Sequence, residues 1–170
     1  MDARTGVVAL GAAGVLVSGV GSVAPAAATA DDEQHCVLRI LGRGDDGQFR
    51  TAPLVCYPTL EEALAVSDPP AGAGLRAEVA IASSSTLSTH WDGSNRSGSS
   101  ITITGSDCAG GTVNLSGSWT NRISSTRNHC PATRFFDGFD KGGGHETTST
   151  STVNLGALNN ASNSIYYGPS

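Results

Sequence analysis

Apolar and polar positions alternate in short bursts along most of this chain. Ser100-Ile101-Thr102-Ile103-Thr104 carries an apolar side chain at every second position, the period of a half-buried strand. Thr112-Val113-Asn114-Leu115 and Thr152-Val153-Asn154-Leu155 alternate over shorter lengths, and Ser164-Ile165-Tyr166-Tyr167 predicts a terminal strand. Gly, Asn, Ser and Asp fill the intervals and supply turns. Nearer the start, Cys36-Val37-Leu38-Arg39-Ile40-Leu41 is apolar and β-prone, and the run Gly42 to Gly47 ends in the turn pair Asp46-Gly47. A second strand over residues 48–56 would complete a hairpin, with Pro53 demoting it to an edge. One stretch predicts a helix. Thr59 is a good N-cap, Glu62 its capping-box partner, and Leu60, Ala63 and Leu64 offer an apolar side before Asp68-Pro69-Pro70 ends the run. Residues 71–88 are small, polar and weakly patterned, a linker with one short strand at Glu78-Val79-Ala80-Ile81.

The C-terminal half says the same thing twice. Trp91-Asp92-Gly93-Ser94-Asn95-Arg96-Ser97-Gly98 lines up with Phe136-Asp137-Gly138-Phe139-Asp140-Lys141-Gly142-Gly143. The tetrad Thr-Val-Asn-Leu at 112–115 recurs unchanged at 152–155. Each copy closes with a polar hexad, Thr120-Asn121-Arg122-Ile123-Ser124-Ser125 and Asn159-Asn160-Ala161-Ser162-Asn163-Ser164. A period of about 40–45 residues marks a duplicated unit, each half unable to bury its apolar face alone. Residues 89–170 therefore predict one all-β domain, an antiparallel sandwich with Greek-key connections, motif one spanning 89–130 and motif two 134–170. A small hairpin-plus-helix segment, 31–70, precedes it across the linker.

The first thirty residues change the compartment. Arg4 begins a short basic start, Thr5 to Gly21 is apolar, and small residues end in Ala28-Thr29-Ala30 before Asp31-Asp32. That is the pattern of a cleaved secretory signal over residues 1–30; a membrane anchor would want about 20 unbroken apolar residues. The expectation is a secreted, extracellular protein that does not sit in a membrane. All four cysteines, Cys36, Cys56, Cys108 and Cys130, lie beyond that segment, and an even count in an exported chain argues for disulfides. Three pairings are possible; joining sequence neighbours, Cys36-Cys56 and Cys108-Cys130, places one bridge in each half. A zinc site is disfavoured because neither a C-x₂-C pair nor an H-x₃₋₅-H pair occurs.

Charge excludes one class of partner. Residues 31–90 hold nine acidic against four basic side chains, and residues 91–170 five of each. No basic stripe exists, so no nucleic acid is expected. Catalysis has little support: G-x-S-x-G is absent, and His145-Glu146 is followed by Thr147-Thr148-Ser149 rather than completing H-E-x-x-H. Asp137 and Asp140 could pair as acid and base, but their place in a duplicated hairpin favours a turn. Trp91 and Trp119 could stack on a sugar; core aromatics are commoner.

An aromatic followed seven residues later by glycine, with a polar serine-rich hexad downstream, resembles the Greek-key motif of the βγ-crystallin superfamily. The likeness runs from Thr89 to Tyr167, about half the chain. Microbial members of that family carry the hexad N/D-N/D-x-x-S/T-S and build calcium sites with it. The second hexad departs from it at Asn163 and the first at Thr120. The resemblance implies calcium shared between the hexads, held by side-chain oxygens of Asn121, Ser124, Asn160 and Asn163 and carbonyls of Arg122 and Ala161. Carbonyls near Gly93 and Gly138 would add to the set, with Asp92 and Asp137 nearby. Hard oxygen ligands suit calcium, but hexads without carboxylates predict weak binding, ~10⁻⁴–10⁻³ M. Asn and Ser clusters also commonly just bond turn backbone. The resulting expectation is a secreted, non-enzymatic, monomeric binding module. The alternative is an inhibitor of an extracellular metalloprotease, similar to small bacterial inhibitors of that fold. Its loops would be Cys108-Ala109-Gly110-Gly111 and His129-Cys130-Pro131-Ala132, held ready for docking by a disulfide.

Overall fold

The computed structural model describes residues 33–67, 84–108 and 110–168. The signal segment, the Asp68-Pro69-Pro70 stop, most of the linker and the strand expected at 78–81 lie outside them. The chain opens with β1 (His35–Arg43), β2 (Phe49–Thr51), β3 (Val55–Tyr57) and α1 (Leu60–Ser67). The first copy of the repeat follows as β4 (Ser85–Trp91), β5 (Ser100–Gly105), β6 (Gly111–Asn114) and β7 (Ser125–Asn128). The second supplies β8 (Ala132–Phe136), β9 (His145–Thr148) and β10 (Ser164–Gly168).

The hairpin forms with its return strand broken. Proline has no N–H to give a ladder, and residues 48–56 split around Pro53 into β2 and β3. Both pair with β1, at opposite ends. Helix α1 starts where expected: the Glu62 N–H donates to Thr59 Oγ1 at 3.2 Å, and Glu61 and Glu62 face the positive end of the helix dipole. It packs against β1, β3 and β5, burying Ala63 and Ser67.

The strands make two sheets. One runs β2-β1-β5-β4-β7, with β3 also on β1; the other runs β6-β10-β8-β9. Every named pair is antiparallel except β1 with β5, which run parallel from His35↔Ser100 to Arg39↔Thr104. The hairpin-plus-helix segment thus extends the sheet of the first copy. Strand β4 begins at Ser85, inside the stretch expected as linker, because Ser and Thr there give no apolar signal.

The two copies exchange backbone pairing. Strand β6, from the first copy, pairs with β10 of the second. In return, Asn154 of the second copy bridges Ser125 of β7, flanked by Thr126 N–H to Val153 O (2.7 Å) and Leu155 N–H to Ser124 O (2.9 Å). Between the sheets lie Leu87, Ile101, Ile103, Val113, Phe135, Ile165 and Tyr167. Trp119, Ile123, Leu115, Leu155 and Leu158 add to them from the connections. Each such aliphatic or aromatic side chain contributes about 1.5–3 kcal/mol. Both disulfides form between sequence neighbours: Cys36–Cys56 across paired positions of β1 and β3, and Cys108–Cys130 between the β5–β6 and β7–β8 connections.

Candidate functional site

The repeated hairpins are built alike. Asn95 and Arg96 (φ 54 and 64) match Asp140 and Lys141 (φ 55 and 65), a left-handed pair whose first position holds the short Asn or Asp that tolerates it best. Gly98 and Gly143 follow at φ 79 and 73, and a Cβ on Gly143 would sit 1.8 Å from Asp137 Oδ1, so only glycine fits. The tip of each hairpin is latched by the asparagine of the repeated Thr-Val-Asn-Leu tetrad in the other copy. Asn154 Oδ1 accepts from Asn95 N–H at 2.7 Å and its Nδ2 donates to Asn95 Oδ1 at 2.9 Å. Asn114 does the same to Asp140, at 2.9 and 2.6 Å. The last serine of each hexad completes the latch. Ser125 Oγ accepts from Arg96 N–H and donates to Gly93 O; Ser164 Oγ accepts from Lys141 N–H and donates to Gly138 O.

The hexads cross-link by a second matched set. Asn121 and Asn160, at φ 54 and 53, donate main-chain N–H groups to Ser162 O and Ile123 O, both at 2.8 Å. Ser124 and Asn163 donate theirs to the corner aromatics, Trp91 O and Phe136 O. The expected ligand side chains meet in two pairs across the copies. Ser124 Oγ donates to Asn160 Oδ1 at 2.9 Å, and Asn163 Nδ2 donates to Asn121 Oδ1 at 2.9 Å and to Asp137 O. Arg122 turns its guanidinium on Asp92, Nη2 and Nε reaching Oδ2 at 2.6 and 3.0 Å, and lies over the Trp119 ring at 5.1 Å. Ala161, at the equivalent position, packs against the core.

This arrangement does not fit calcium as the resemblance would place it. Asp137 O can only accept, so the amide of Asn163 must present nitrogen to it, and a donor stands where a cation would need an oxygen. The carbonyls of Gly93 and Gly138 already accept serine hydroxyls. At the other pair a guanidinium holds Asp92. Among the described residues no three His, Cys, Asp or Glu side chains gather as a metal cluster, though hexad oxygens are of other kinds.

A buried polar chain gave no signal in the sequence. Asn128 Nδ2 donates to Thr148 Oγ1 at 2.7 Å, which turns Asn128 Oδ1 toward Thr126 Oγ1 at 2.9 Å. Thr126 therefore donates to Asn128 and accepts from His90 Nδ1 at 2.9 Å. His90 Nε2 is left as the acceptor for Ser88 Oγ at 2.7 Å, and Ser88 accepts from the Tyr167 hydroxyl. Burial lowers the His90 pKa to about 3 and raises that of Tyr167 above the ordinary tyrosine range. Ser88 and His90 resemble a nucleophile and its base, but both are fully buried and no substrate reaches them.

The Cys108–Cys130 bridge, its Cys130 end buried, ties together the two loops expected to dock, and His129 and Pro131 are exposed beside it. A groove of about 700 Å³ runs between α1 and the sheet, lined by Leu60, Leu64, Trp91, Arg127 and His129 among others. No helix among the described residues is long and apolar enough to cross a membrane. No family model matches this chain, and no curated protein or solved structure does.

Proposed function

We propose that this chain is an exported, non-enzymatic binding module of βγ-crystallin type, its two Greek keys latched together by their repeated Thr-Val-Asn-Leu segments. The observation that carries this is the reciprocal latch: Asn114 and Asn154 make the same pair of bonds to opposite hairpins. Polar residues that could suggest a reaction centre are engaged in holding the copies together, which favours a scaffold. The two disulfides fit an oxidising compartment.

The second reading, inhibition of an extracellular metalloprotease, is favoured by the tether between the 108–111 and 129–132 loops. A rigid loop loses little entropy on docking. Titrating a zinc metalloprotease with the protein tests both. Stoichiometric inhibition, lost when Cys108 and Cys130 are both changed to Ser in a variant that still folds, establishes the inhibitor. No inhibition leaves the general binding module. Hydrolysis of a peptide, ester or glycoside by the protein itself would overturn both.

A further inference from the structure

The two junctions between hairpin and hexad are not closed by the same chemistry. A calcium ion at such a junction would hold together oxygens that otherwise repel one another. In the second copy those oxygens are Asp137 O and Asn121 Oδ1, and the Asn163 amide aims its nitrogen at both. An amide has two protons to give and a serine hydroxyl has one. The equivalent Ser124 spends its single proton on Asn160 Oδ1. There, Arg122 supplies the missing link, binding the Asp92 carboxylate and Ser99 Oγ. Ala161 cannot do that in the second copy, and Asn163 bridges instead.

We propose that Asn163 takes the place of a cation at the second junction, as Arg122 braces the first, so that both close without metal. Nitrogen donors carried by the chain thus do what a bound ion would do. The departure from the serine or threonine of the family's hexad is then a gain of self-sufficiency. The inference rests on the Greek-key reading above.

The test is thermal unfolding of the oxidised protein in chelator and in millimolar calcium, for the wild type and for Asn163→Asp. The wild type is expected to melt at the same temperature in both. Asn163→Asp places a third oxygen against Asp137 O and Asn121 Oδ1. It should melt several degrees lower in chelator and recover in calcium, as mass-action linkage requires of a newly made site. If that variant does not fold, Asn163→Ser, which copies Ser124, carries the same expectation. A calcium-dependent rise in the wild type that Asn121→Ala removes would overturn the proposal. So would a folded Asn163→Asp indifferent to calcium. The Greek-key reading fails separately, if changing Asn114 or Asn154 leaves stability untouched.

Discussion

At the scale of single residues, His90 shows how burial decides chemistry. Its ring lies edge-on to Phe135 at 5.3 Å, and its hydrogen-bond partners are the hydroxyls of Ser88, Thr126 and Tyr167. Nothing there stabilises an imidazolium, so the folded state holds His90 neutral down to about pH 3, whereas the unfolded chain protonates it near 6.5. Below the unfolded value the unfolded state binds more protons, and stability falls as pH falls. The loss from this one group should be about 1.4 kcal/mol per pH unit between 6 and 3. Denaturant titrations from pH 7 to pH 4, with and without His90→Gln, check this; the variant should lose that part of the slope. Little of this network was legible in advance. Its members sit singly in polar strands, and only the fold shows that Thr126 and Asn128 face inward.

At the scale of elements, the repeat was legible and the exchange was not. Thr-Val-Asn-Leu stands out because it recurs unchanged, and alternation predicts a strand. Nothing in alternation says which sheet a strand joins. The asparagine in the tetrad carried the missing information, since a polar residue kept identical in both copies has a shared task, here the latch on the opposite hairpin. Asn114→Ala and Asn154→Ala should each cost about 1 kcal/mol, because each removes two solvent-exposed bonds and water re-pairs the freed hairpin amide. Measured by denaturant unfolding, the two losses should be alike. Strands β7 and β9 escaped detection for the converse reason: Ser125-Thr126-Arg127-Asn128 and His145-Glu146-Thr147-Thr148 are polar on both faces. The expected ligand side chains did come together in pairs, but their donor and acceptor roles depend on neighbours, such as Asp137 O, that sequence spacing does not reveal.

At the scale of the whole molecule, the N-terminal segment and the repeats share one sheet. Parallel pairing needs a long crossover and leaves no local signature, so β1 beside β5 was hidden in a sequence that suggests a free-standing hairpin. Cys36 and Leu38 enter the common core, and Phe49 lies so close over Gly111 that a Cβ there would fall 2.3 Å from the ring. With Asn114, Asn154 and the hexads joining the copies as well, every part should unfold together. The measurement that tests this most directly is calorimetric unfolding of the oxidised protein in chelator. The account predicts one transition, with the calorimetric enthalpy equal to the van't Hoff enthalpy. Two separate transitions in chelator, merging into one only when calcium is added, would contradict it.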